Sequence, residues 1–214
     1  YARNIRKAAI LGYKTLDARP GATMIPRDER QDYAFERHDR FGYNFRMSAP
    51  LAALGLGQLE RLDYLVAARR YIAGQYERVI REEKCEWLVP PYVPYGCTHS
   101  YWCYTCTLDT DRLGVDWRAF RKTFIDHGGD GLYGLWVPVH LEPVFRTLSF
   151  FGSPERAPNF DPRYGGQVKQ YGEGDCPNVE AFRSKLCLFK TGMQTLAKVD
   201  AQVEALQKTI RHYA

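Results

Sequence analysis

Apolar residues recur at helical spacing over several long stretches of the chain, with aromatic-rich and turn-rich segments between them. At the start, Ala2, Ile5 and Ala9 fall on one side of a helical wheel and Arg3, Arg6 and Lys7 on another, which predicts a helix over 1–14. Residues 15–40 read as a long loop, rich in charge and in turn formers such as Pro20-Gly21 and Pro26. Ser48 is placed to cap the strongest helix, with Pro50 in its first turn. Leu51, Leu54, Leu62, Leu65, Val66, Ile72, Tyr76, Val79 and Ile80 then follow one helical face to about Lys84. Unbroken, that helix would be roughly 50 Å long, with a bend expected near Leu62-Asp63. Gly55 and Gly57 weaken its first turns, which predicts close packing of another backbone there.

The character changes after Pro90-Pro91. Ser100–Asp109 reads as a strand dense in aromatic, Thr and Cys residues. Asp116–His127 reads as an amphipathic helix with Trp117, Phe120 and Phe124 on one face, stopped by Gly128-Gly129. Leu132–Val137 is a second expected strand, and 150–174 a Gly-, Pro- and Asn-rich loop. Asp175 is expected to cap a helix containing Pro177, with Val179, Phe182 and Leu186 turned inward. Thr195 is expected to cap the last helix, with Leu196, Val199, Val203, Leu206 and Ile210 buried. Strand, helix, strand and then helices predict a small α/β domain without internal repeats.

Composition narrows the class. Of 214 residues, 45% are apolar and 14% aromatic, so a core can form and disorder is excluded. No apolar run approaches the length of a membrane span. Six cysteines are too few for a disulfide scaffold and read as reduced thiols of a cytoplasmic protein. The net charge is +5, and residues 1–47 hold 10 basic against 6 acidic groups. That excess suits a phosphate or nucleotide, or a plain solvated surface. The absence of any basic run argues against nucleic acid. The chain opens at Tyr1, inside an apparent helix, and reads as a fragment.

Several clusters invite chemistry. Cys97, His99, Cys103 and Cys106 suggest zinc, but an offset of three along a strand puts Cys103 and Cys106 on opposite faces. Inert thiols are the plainer reading. Gly128-Gly129-Asp130-Gly131 lacks the Lys-Ser/Thr of a phosphate loop and reads as a helix stop. In Pro138-Val139-His140-Leu141-Glu142-Pro143, two prolines fix the backbone around His140 and Glu142, as in a pocket lining or a structural loop. Phe41-Gly42-Tyr43-Asn44-Phe45-Arg46-Met47-Ser48 is a polar loop entering a helix N-terminus. Asn44 and Arg46 there offer an amide and a guanidinium fork to a phosphate.

Gly42-Tyr43-Asn44-Phe45-Arg46-Met47-Ser48, followed by Ala52-Ala53-Leu54-Gly55-Leu56 and Gln58-Leu59-Glu60-Arg61-Leu62, resembles the DegT/DnrJ/StrS-type sugar-nucleotide aminotransferases. Arg69-Arg70, His99-Ser100-Tyr101-Trp102, the Pro138–Pro143 stretch and Gly174-Asp175-Cys176-Pro177 extend the likeness in order. The resemblance implies a pyridoxal-phosphate (PLP) fold of type I and a homodimer with shared active sites. It implies transfer of an amino group from glutamate to a keto group of a nucleotide-linked sugar. Residues 1–47 would end the large PLP-binding domain. Residues 48–84 would be the bridging, dimer-packing helix, and 85–214 the small C-terminal α/β domain. Asn44 would reach the phosphate of the cofactor in the partner subunit, with Arg46 beside it. His140, Tyr133 and Trp102 would line the sugar pocket.

The sequence departs from that pattern in two places. The family's cofactor-binding lysine lies in an S-x-x-K segment ahead of the matched region, and no such segment occurs in 1–214. No catalytic residue and no metal ligand is therefore assigned, and the chain alone is expected to be inactive. At Gly129-Asp130-Gly131-Leu132-Tyr133, many members carry an Arg-Pro-containing strand instead. The alternatives are a non-catalytic dimerising module and a related PLP- or PMP-dependent sugar dehydratase with histidine in place of the lysine.

Overall fold

A computed structural model describes residues 5, 7, 8, 14, 28, 31–43, 49–150, 170–192 and 195–214. The helices and strands with described bounds, in chain order, are α1 (Ala49–Leu59), α2 (Leu62–Glu82), β1 (Leu88–Val89), β2 (Cys103–Leu108), α3 (Thr110–Leu113), α4 (Trp117–Asp126), β3 (Leu132–Tyr133), a 3-10 turn (Val139–Leu141), α5 (Pro143–Arg146), α6 (Pro177–Phe182), β4 (Leu186–Lys190) and α7 (Leu196–His212). Ile5, Lys7 and Ala8, within the first expected helix, are helical. Contacts divide the chain into two units: residues 1–46 with 136–183, and residues 47–135 with 184–214.

The second unit is built on a four-stranded antiparallel sheet in the order β1-β2-β4-β3. Side chains alternate along β2, so Tyr104, Cys106 and Leu108 are buried while Cys103, Thr105 and Thr107 are half-buried. Cys187 and Phe189 of β4, Leu88 of β1 and Leu132 of β3 complete the buried set. The apolar stripes of α2 (Ile72, Tyr76, Val79, Ile80), α4 (Trp117, Phe120, Phe124) and α7 (Val199, Leu206, Ile210) supply the opposing layer. Burying side chains of this size contributes about 1.5–3 kcal/mol each. Tyr76 keeps its hydroxyl satisfied by donating to the Lys190 carbonyl at 3.0 Å, and burial pushes its pKa up.

Local chemistry sets the element ends. Asp116 accepts from Ala119 N–H at 2.8 Å and so starts α4. The Gly128 N–H bonds the Ile125 carbonyl and the Gly129 N–H the Phe124 carbonyl, a Schellman stop with Gly128 at φ 94°. Thr195 starts α7 by accepting from Lys198 N–H.

The structure refines or departs from the expected elements at several points. The long helix breaks at Glu60-Arg61, giving α1 and α2. A Cβ at Gly55 or Gly57 would meet nothing within 4 Å, and α1 has no buried residue. The expected strand 132–137 shortens to two residues, because β4 offers Tyr133 its last partner, Leu188. Leu186, expected inside a helix, opens β4, which sequence periodicity did not reveal. Phe182, expected buried, is 47% exposed, as is most of Leu196.

In the first unit, Val144, Leu148 and Phe150 form a small core with Phe145 packed on it. Phe41 stacks on Phe150 with ring centroids 4.4 Å apart. No helix among the described residues is long and apolar enough to cross a membrane.

Candidate functional site

The Pro138–Pro143 stretch folds as a rigid knuckle. Pro138 leads into the 3-10 turn, Leu141 N–H bonds the Pro138 carbonyl, and Pro143 opens α5. This fixes two adjacent polar side chains. Glu142 is 2% exposed, yet its carboxylate is fully engaged. Oε2 accepts from the backbone N–H of Arg37 at 2.9 Å and of His38 at 3.0 Å, and Oε1 from Arg37 Nε at 3.3 Å. The Arg37 guanidinium also lies 4.5 Å over the Trp136 ring. Val144 N–H returns a bond to the His38 carbonyl. The polar loop at 37–38 is thus tied to the knuckle that carries His140.

His140 is itself buried, and its Nε2 lies 2.7 Å from Glu180 Oε1. Glu180 sits on α6, whose start is capped in an unexpected way. The cap position is Cys176, not Asp175, and its side chain makes no capping bond. Instead Glu180 reaches back and accepts from Gly174 N–H at 2.8 Å and Cys176 N–H at 3.1 Å. Gly174 holds φ 93°, which suits glycine. The Gly174 N–H first, then His140, holds the Glu180 carboxyl below the usual glutamate range.

The other expected pocket residues lie in the second unit. Trp102 is 71% exposed. Its backbone is pinned by the Arg69 guanidinium, which donates to the Trp102 carbonyl at 3.0 Å and to Thr191 Oγ1 at 3.1 Å. His99 Nδ1 accepts from Tyr101 N–H at 2.8 Å, and the two rings stack. Tyr133 is half-buried on β3, with β4 between it and the segment that carries Trp102. Asn44 and Arg46, the expected phosphate ligands, lie outside the described residues. The residues sequence reading missed are Glu180 and Arg37. Their partners are 40 and 105 positions away, and no local pattern marks them.

The cysteine cluster has a structural use. Cys106 faces Cys187 across β2 and β4 in the buried layer, while Cys103 points to the other face. Burial pushes both buried thiols up, which suppresses the thiolate needed for reactivity or metal binding. Among the described residues no group of three His, Cys, Asp or Glu side chains gathers as a metal site. The Gly128–Gly131 stretch is a turn closed by Lys190, whose ammonium meets Asp130 at 3.3 Å.

PLP chemistry at a substrate amine needs a free lysine amine at the cofactor. Lys7 is buried against Asp39, and Lys14, Lys122, Lys190 and Lys208 pair with Glu36, Asp126, Asp130 and Glu204. These five ammonium groups are thus engaged by carboxylates.

Comparison with known proteins places these features. GDP-perosamine synthase of Caulobacter vibrioides is 34% identical over 111 residues, half of this chain (50%) and 28% of its own length. GDP-perosamine synthase of Escherichia coli O157:H7 is 32% identical over 159 residues, 66% of this chain and 40% of its own. The matched stretches thus span well under half of the curated relatives. Among solved structures, an aminotransferase from Psychrobacter cryohalolentis matches 99% of this chain and 49% of its own, with TM-score 0.54 and 17% identity. Helicobacter pylori PseC, an aminotransferase involved in pseudoaminic acid biosynthesis, matches 98% of this chain and 46% of its own, with TM-score 0.52 and 15% identity. Both likenesses concern the fold. The family model for these enzymes matches residues 23–160, from the polar loop through the His140 knuckle, and the chain belongs to the DegT/DnrJ/EryC1/StrS aminotransferase family.

Proposed function

We propose that the chain is the C-terminal part of a PLP-dependent aminotransferase that moves an amino group from glutamate to a keto group of a nucleotide-linked sugar in the cytoplasm. The family match over residues 23–160 carries this reading. PLP, when bound, supplies the electron sink for the amino transfer. In this reading the chain's own residues bind and orient. Asn44 and Arg46 hold the cofactor phosphate of a partner subunit by charge-assisted hydrogen bonds. His140, Tyr133 and Trp102 are each assigned to sugar binding. Residues 1–47 close the large fold-type-I domain, 48–84 bridge and pack the homodimer, and 85–214 form the small domain.

The test has two arms. The natural full-length protein, given PLP, glutamate and nucleotide-linked keto sugars, is expected to release 2-oxoglutarate beyond one equivalent per active site only when a sugar is present. Continued sugar-independent turnover beyond that one equivalent, or no turnover with any sugar, overturns the reading. The 214-residue chain alone, mixed with PLP and reduced with borohydride, is expected to show no adduct confined to one lysine on peptide mapping. A single modified lysine would show that this chain carries its own cofactor attachment.

A further inference from the structure

The His140–Glu180 pair assigns a role that the family match does not reach. A carboxylate only accepts hydrogen bonds, so the ring nitrogen that it touches carries the proton. Glu180 Oε1 touches His140 Nε2 at 2.7 Å. The carboxylate is not free to turn away, because Gly174 N–H and Cys176 N–H hold both of its oxygens. The 3-10 turn and the Glu142 clamp fix the backbone from which the ring projects. Among the described residues no group bonds His140 Nδ1. Nor is Nδ1 one of the partnerless polar atoms sealed from solvent.

We propose that Glu180 is a positioning residue that locks His140 in its Nε2–H form, so that Nδ1 is presented as the acceptor for a hydroxyl of the bound sugar. This rests on the sugar-aminotransferase reading. A neutral imidazole has one donor and one acceptor nitrogen, and which is which is set by the partner of the other. With Nε2–H committed to Glu180, Nδ1 discriminates for a hydroxyl donor and against a bare carbonyl. His140 then senses the substituents around the keto group, and leaves the amino donor untouched.

The experiment uses the full-length protein with 15N-labelled histidine. The two-bond proton–nitrogen pattern of His140, identified by its loss in His140→Ala, is expected to show protonated Nε2 and bare Nδ1. Glu180→Ala is expected to convert it to a mixture of both forms. Glu180→Gln, which keeps one oxygen for Nε2–H, is expected to retain the original pattern. In Glu180→Ala, KM for the sugar nucleotide is expected to rise about ten-fold, the effect of roughly one lost hydrogen bond. KM for glutamate is expected to stay unchanged. An unchanged His140 pattern in Glu180→Ala overturns the proposal, as does an equal rise in both KM values. If the pattern changes as expected but the wild type turns over no nucleotide-linked sugar, the aminotransferase reading falls. The sugar then falls as ligand of Nδ1, and the lock on the ring stands.

Discussion

The Glu142 carboxylate binds Arg37 twice, at the backbone N–H and at the side-chain Nε, across 105 positions of sequence. The acid is buried and the arginine mostly so. Removing one partner of such a pair leaves an uncompensated buried charge or unpaired donors, at a cost of about 3–5 kcal/mol. Glu142→Ala is therefore expected to lower stability by about 3 kcal/mol, read as a shift in urea midpoint at constant slope. A shift of only a few tenths would mean that the 37–38 loop finds water as readily as Glu142.

The stop of α4 separates two roles for neighbouring glycines. Gly128 sits at φ 94° with open space where a Cβ would go. Gly128→Ala is expected to cost about 1–2 kcal/mol from the left-handed backbone alone, and Gly128→Asn less, since Asn tolerates that region. Gly129 is different. A Cβ there would lie 2.4 Å from the Phe124 ring, inside the core. Gly129→Ala is expected to cost about 1–3 kcal/mol and to displace that ring, visible as changed Phe124 ring shifts by NMR. Equal stability of Gly128→Ala and Gly128→Asn would refute the backbone account.

These two regions show what the sequence discloses and what it withholds. The ends of α4 and α7 are legible because Asp116, Gly128-Gly129 and Thr195 act on backbone groups within a few residues. The stripes Trp117-Phe120-Phe124 and Val199-Leu206-Ile210 are legible from their period. β4 is not, because Leu186-Cys187-Leu188-Phe189-Lys190 is a short apolar run that fits strand or helix equally, and its identity comes from β2 and β3 on either side. The candidate site divides in the same way. The prolines around His140 mark a rigid loop, whereas Glu180 and Arg37 meet it only through the tertiary fold.

Acid is expected to loosen the contact between α2 and α7. Arg211 donates to Glu83 at 2.7 Å, and Gln207 joins it. The Arg211 guanidinium, then Gln207, holds the Glu83 carboxyl below its ordinary value. With the folded pKa depressed, the contribution is fully present above the ordinary glutamate value. It is lost as pH falls through the depressed one. Both side chains reach solvent, so the effect is small and salt-sensitive. Arg211→Ala is expected to lower Tm at neutral pH and to match the wild type in strong acid. A Tm difference that persists in acid would show that Arg211 acts through packing instead.

The exposed leucines of α1 test the homodimer. Leu51, Leu54, Leu56 and Leu59 all lie open, and Leu54 is 62% exposed. Four large apolar side chains on one 11-residue helix are more than scattered surface leucines. The glycines Gly55 and Gly57 leave the same helix free of side-chain bulk. On the proposed two-fold assembly each α1 residue at the interface is buried twice, once per subunit. Burying one leucine contributes about 1.5–3 kcal/mol, so Leu54→Asp removes that twice and adds two buried charges. The dimer dissociation constant of the full-length protein is expected to rise by at least about a hundred-fold, read by light scattering across a dilution series. Far-ultraviolet dichroism is expected to stay unchanged, because Leu54 is exposed among the described residues. A Leu54→Asp variant that stays dimeric at wild-type dilution would place the interface on another face.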